Sequence, residues 1–231
     1  MRRMLNGLPI RVDAATRHRF STDYEHSVAA FLRDRILPGS EVWNVGANVG
    51  VYVLQAGAWV GAQGQVLAFE PNPNAARALM ENVRLNGLQD RVEIVPWAIG
   101  ETSGDANLYV SGADGMSRLG RANPALIATT AINVAMTTLD EIVNRRQKCP
   151  SWVIMDIEGW EIAALKSARG LLRHSHFVIE LHPWAWPWSG HSRRDLEELL
   201  WEYGLDVVPL TGQVDPLREP GLVFLDDARR E

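Results

Sequence analysis

Val42-Trp43-Asn44-Val45-Gly46-Ala47-Asn48-Val49-Gly50 is followed further on by Val66-Leu67-Ala68-Phe69-Glu70. The first stretch is an apolar strand running into a glycine-containing turn. The second is another apolar strand, and it ends in an acid 24 residues after Gly46. An α/β nucleotide-binding sheet begins this way. The glycines let backbone approach a ligand closely, and the acid accepts hydrogen bonds from ribose hydroxyls. A chance strand-turn-helix, with glycines that only relieve packing, is the bland alternative.

The turn narrows the choice of nucleotide. A dinucleotide site wants G-x-G-x-x-G, whose second glycine lets the backbone reach a pyrophosphate. Here Asn48 stands in that place, between Gly46 and Gly50, which argues against NAD. No G-x-x-x-x-G-K-[ST] run occurs, which argues against ATP binding of that type. A ribose acceptor without a pyrophosphate cradle suits S-adenosylmethionine, with its ribose on Glu70 and its methionine end over Gly46–Gly50.

Outward from this stretch, apolar strands alternate with helical patterns. Strands are expected at 41–45, 65–70, 92–96, 152–156, 177–181, 205–209 and 222–225, with helices at 49–59, 161–172 and 192–203 and another after Pro71-Asn72-Pro73. Thr138-Leu139-Asp140-Glu141 is a capping box. Such alternation implies a parallel sheet with helices on both faces. Residues 1–37 read as an N-terminal extension and helix, with no element before residue 23. Residues 101–137 read as an inserted acceptor-side segment, with a short strand at 107–110 and a loop at 111–123. One domain over 1–231 accommodates all of this.

Hydrophobic residues make up 46% and charged residues 22%, as in an ordinary globular chain. The net charge of −5 disfavours a nucleic-acid or membrane partner. The single cysteine, Cys149, has no internal disulfide partner. That fits a reducing compartment, and cytoplasm is the expected location.

Taken together, five blocks resemble the FkbM-type S-adenosylmethionine-dependent methyltransferases. They are Asn44-Val45-Gly46-Ala47-Asn48-Val49-Gly50, Phe69-Glu70-Pro71-Asn72-Pro73, Thr138-Leu139-Asp140-Glu141, Ile154 to Glu161, and Val178-Ile179-Glu180-Leu181-His182. They stand in the family's order over roughly residues 24–183. The resemblance implies a Rossmann-like class I methyltransferase fold: a mainly parallel seven-stranded sheet, helices on both faces and an antiparallel last strand. It implies methyl transfer, usually to a hydroxyl of a sugar or natural product. Asn44 departs from the family's usual acid and removes a charge that would favour the cationic cofactor.

The candidate cofactor residues are therefore Asn44, Gly46, Asn48, Gly50, Glu70, Trp97, Ala98 and Asp156. Asp156 and Glu158 lie two apart, as do Glu180 and His182, so each pair points to one side of an extended chain. Ligands bind at the carboxyl ends of strands in such sheets. His182, Asp156 and Glu180 are the candidate catalytic groups, His182 or Asp156 as general base. Alternatively, Asp156, Glu180 and His182 hold a divalent metal, with magnesium suited to oxygen-rich ligands. Trp184 and Trp186, with Ser117, Arg118 and Glu158, are candidate walls for a small-molecule acceptor. A homodimer contact is the other use of the tryptophan stretch. N-methylation of an amine and a catalytically silent cofactor-binding scaffold are the competing readings.

Overall fold

Asn6 and Gly7 take positive φ angles of 47° and 84°, the two-residue turn that Asn-Gly favours between antiparallel strands. They join β1 (Arg2–Leu5) to β2 (Leu8–Arg11) in a hairpin. The N-terminal extension therefore has structure where none was expected. The computed structural model describes residues 1–111, 117–120 and 129–227.

After α1 (His26–Arg33) the chain alternates. It forms β3 (Glu41–Val45), α2 (Val51–Trp59), β4 (Gln65–Phe69), α3 (Pro73–Leu85) and β5 (Val92–Val95). The Asn72 side chain caps α3 by accepting from the Asn74 N–H at 3.0 Å, and Pro73 starts the helix where a missing N–H costs nothing. Next come β6 (Ala98–Ile99), β7 (Gly104–Ser111), β8 (Ser117–Leu119) and β9 (Thr129–Thr137). Thr138 caps α4 (Leu139–Arg146), as its capping box foretells. The rest is β10 (Trp152–Met155), α5 (Glu161–Lys166), β11 (His176–Leu181), α6 (Arg193–Tyr203), β12 (Leu205–Pro209) and β13 (Gly221–Asp227).

The main sheet has seven strands in the order β12-β13-β11-β10-β3-β4-β5. β11, β10, β3, β4 and β5 are parallel, and β13 runs antiparallel between β11 and β12. Alternation divides the core between two faces. Trp43, Val45, Leu67, Phe69, Val153 and Met155 pack on the side of α4, α5 and α6. Val42, Val66, Ala68 and Ile154 pack on the side of α1, α2, α3 and the hairpin. Among the described residues, no helix is long and apolar enough to cross a membrane.

The segment expected as an insertion forms a second sheet, ordered β6-β9-β7-β8. β7 extends well beyond the short strand expected at 107–110. Ser117–Leu119, expected within a loop, is strand β8 paired to β7. The remainder of that expected loop, 112–116 and 121–123, lies outside the described residues. The helix expected over 161–172 ends at Lys166, and a separate single turn covers Leu171–Arg173.

Candidate functional site

At the end of β3 the chain turns through Gly46 (φ +82°), Asn48 (φ +47°) and Gly50 (φ +101°). A Cβ at 46 would lie 1.8 Å from the Asp156 carbonyl oxygen, so only glycine fits there. The Gly46 and Ala47 N–H groups donate to the Phe69 carbonyl, tying the turn to the end of β4. One Glu70 oxygen accepts from the Asn48 N–H at 2.7 Å, the other from the Asn72 N–H at 2.8 Å. Burial pushes the Glu70 carboxyl up to about 7, against the pull of those two N–H groups.

Asn44 is buried, and its amide donates to the Ile154 carbonyl at 3.1 Å. The amide bridges β3 to β10 with a donor that an ionised acid lacks. The departure from the family's acid thus has a structural use here.

Gly46, Asn48, Glu70, Trp97, Ala98 and Asp156 line one cleft, together with Ser117 and Glu158. Asn72 donates to the Ser117 hydroxyl at 2.9 Å, so Ser117 is joined to the Glu70 corner. A second depression on the other side of the turn is bordered by Arg19, Tyr24, Asn44, Asn48, Tyr52 and Asp156. The Tyr52 hydroxyl donates to Glu25, a residue held at φ +43° where α1 begins.

Asp156, Glu158, Glu180 and His182 do converge, but the strand alternation expected of Asp156 and Glu158 does not hold. β10 ends at Met155, and Glu158 sits at φ +54° in a left-handed turn. That turn swings its carboxylate back toward His182. His182 Nε2 lies 3.7 Å from Glu158, 3.9 Å from Glu180 and 4.0 Å from Asp156. About a third of the Asp156 side chain faces the cavity, at 35% exposure. Its carboxyl is held well above the usual range by burial and then by the Glu180 charge. Burial likewise raises Glu180.

Sequence reasoning missed Glu161. It is fully buried at the start of α5, and its carboxylate accepts from three donors. These are the Gly159 N–H at 2.7 Å, His182 Nδ1 at 2.9 Å and Trp186 Nε1 at 3.0 Å. Burial alone would lower the His182 pKa. The hydrogen bond and charge of Glu161, then the charges of Asp156 and Glu158, more than offset this and hold it at about 10. The near-neutral histidine expected of a general base is therefore not what this site holds.

The rim also differs from expectation. Trp186 is 1% exposed and bonded to Glu161, so it belongs to the core and not to an acceptor wall. Trp184 is 48% exposed and remains available. Arg118 is buried, with its guanidinium over the rings of Trp184 (4.7 Å) and Trp188 (4.2 Å). Its Nε donates to the Glu158 carbonyl at 3.0 Å. Arg118 braces the Glu158 turn, and its Nη1 is buried without a hydrogen-bond partner among the described residues.

A family model described as the methyltransferase FkbM domain matches residues 44–207. No curated protein matches in sequence. Solved structures share the fold at low identity. A putative rRNA methylase from Clostridium thermocellum is 12% identical with a TM-score of 0.53, covering 86% of this chain and 92% of its own. An O-methyltransferase from Bacillus cereus, solved with SAH, is 10% identical with a TM-score of 0.52, covering 89% and 80%. Fibrillarin from Aeropyrum pernix, with natively bound S-adenosyl-L-methionine, is 13% identical with a TM-score of 0.50, covering 86% and 73%.

Proposed function

This chain belongs to the FkbM methyltransferase domain family, and we propose that its S-adenosylmethionine-dependent transfer goes to a hydroxyl group of a small-molecule acceptor. The observation that carries the reading is the position of Asp156. Among the described residues, it is the one ionisable side chain that borders both the cleft and the second depression.

The adenosine half of the cofactor fits the cleft. Glu70 accepts the ribose hydroxyls there, beside Trp97 and Ala98. The methionine tail crosses the Gly46–Asn48 turn into the second depression. Its carboxylate meets Arg19 and the N-terminus of α2 there, a favourable place for an anion. The methyl group then faces Asp156 at the junction.

The acceptor oxygen attacks the methyl carbon in line. The O–CH3 bond forms, the S–CH3 bond breaks, and the electron pair moves onto sulfur to leave S-adenosylhomocysteine. The hydroxyl proton passes to the neighbouring Glu180 carboxylate. His182 stands 3.9 Å from it and does not itself take the proton. The half-exposed Trp184 ring suits the apolar face of a sugar or a flat ring. The acidic chain, at −5, favours a small acceptor over a nucleic acid.

Incubation with methyl-labelled cofactor tests this against sugars, polyols and phenols, each beside its amine analogue. Label recovered in an ether supports hydroxyl transfer. Label confined to the amines overturns it.

A further inference from the structure

His182 Nε2 is ringed by carboxylates but bonded to none of them. The distances of 3.7, 3.9 and 4.0 Å to Glu158, Glu180 and Asp156 all exceed hydrogen-bond length. Its side chain is only 8% exposed, and its orientation is fixed from behind. Nδ1 is held by Glu161, so Nε2 is the nitrogen presented to the cluster. Independently, Asp156 Oδ1 is buried without a hydrogen-bond partner among the described residues. An imidazole nitrogen with no hydrogen bond to the cluster and a buried carboxylate oxygen without a partner thus stand 4.0 Å apart.

We propose that Asp156, Glu158 and His182 bind one divalent transition-metal cation, of the manganese or iron(II) kind. One donor atom from each of the three lies within 4.8 Å of the others. A cation with bonds of about 2.1 Å spaces adjacent ligands by about 3 Å and opposite ones by about 4.2 Å. The three need only draw in slightly. A carboxylate behind the ligating histidine is the arrangement that orients imidazole toward a metal, and Glu161 supplies it. The nitrogen donor disfavours magnesium, which prefers oxygen. The Glu158 turn is fixed as well. Arg118 holds its carbonyl, and a Cβ at Gly159 (φ +104°) would meet Ala185 at 2.4 Å.

The inference rests on the reading of this cluster as the acceptor end. The acceptor hydroxyl becomes a further ligand of the cation, which lowers its pKa and aligns it. Glu180, outside the triad, takes the proton as the oxygen–methyl bond forms and the sulfur departs with its electron pair.

The test is a manganese titration of chelator-stripped protein, followed by loss of the free-ion paramagnetic resonance signal. S-adenosylhomocysteine binding is measured on the same samples. One tightly bound manganese per chain is expected. Glu161→Gln should weaken it 10- to 100-fold, the usual effect of a supporting carboxylate, and His182→Gln by at least as much. If His182→Gln does not fold, Glu158→Gln carries the same expectation. No manganese binding, or equal binding by variants that still bind S-adenosylhomocysteine, overturns the site and leaves the methyltransferase reading standing. Manganese binding without any S-adenosylhomocysteine binding keeps the site and overturns that reading. Displacement by magnesium at equal concentration overturns the choice of metal.

Discussion

The carboxyl ends of β3 and β4 and those of β10 and β11 adjoin in one sheet, and both carry acids. At β3 and β4 the main chain sets the geometry. Two backbone N–H groups hold the Glu70 oxygens, and the glycine turn abuts the Asp156 carbonyl with no room for a side chain. At β10 and β11 the side chains hold one another. Glu161 gathers His182, Trp186 and the Gly159 N–H, and His182 stands between three further carboxylates. A backbone-built half tolerates few substitutions at its glycines and many elsewhere. A side-chain network transmits the loss of any member to the others.

The comparison breaks most visibly at Gly46. Gly46→Ala should reduce cofactor affinity more than 100-fold by calorimetry, because its Cβ collides with backbone and its φ of +82° is strained for alanine. Near-normal affinity would mean that the turn does not floor the cofactor site.

Glu161→Ala probes the other half. It leaves His182 buried beside unpaired donors, a loss of about 3–5 kcal/mol in urea unfolding. Glu161→Gln keeps one acceptor oxygen and should lose less. A destabilisation below about 1 kcal/mol for the alanine variant would show that the network is not cooperative.

Glu70 offers a pH test. Its folded pKa of about 7 lies above the ordinary 4.5, so burial favours the protonated form. Its contribution to stability is full below pH 4.5 and is lost as pH rises through 7. The free protein should be less stable at pH 8 than at pH 6, and Glu70→Gln should flatten that difference. In the proposed pose ribose hydroxyls donate to the ionised carboxylate, so cofactor affinity should rise over the same interval in the wild type more steeply than in Glu70→Gln. Equal slopes would detach Glu70 from the ribose. The smallest effect is expected at Trp184→Ala: a few-fold rise in acceptor KM with S-adenosylhomocysteine affinity unchanged.

The main sheet was legible because its strands are apolar runs bounded by glycine, proline and acids, and local pattern suffices for those. The second sheet was less so. β7 begins with Gly104-Asp105-Ala106-Asn107, a polar stretch whose strand character comes from pairing with β9 more than twenty residues on. The hairpin carried a readable signal, Asn6-Gly7, that went unused. Asp156, Glu158, Glu180 and His182 were placed together correctly, but by an alternation that the left-handed turn at Glu158 does not obey. Glu161 and Trp186 were obscured for one reason. A charged residue at a helix start reads as solvated, and a tryptophan beside an active-site strand reads as a wall. Only the fold brings the indole and the imidazole, 25 and 21 residues downstream, onto that carboxylate.

The proposed function depends first on the cleft between the glycine turn and Glu70 holding the cofactor. Calorimetric titration with S-adenosylhomocysteine, on wild type and Glu70→Ala at pH 8 with NAD as control, tests it most directly. One site per chain is expected, with binding at least tenfold weaker in Glu70→Ala and no heat from NAD. Equal affinity in the variant, or binding of NAD, would contradict it.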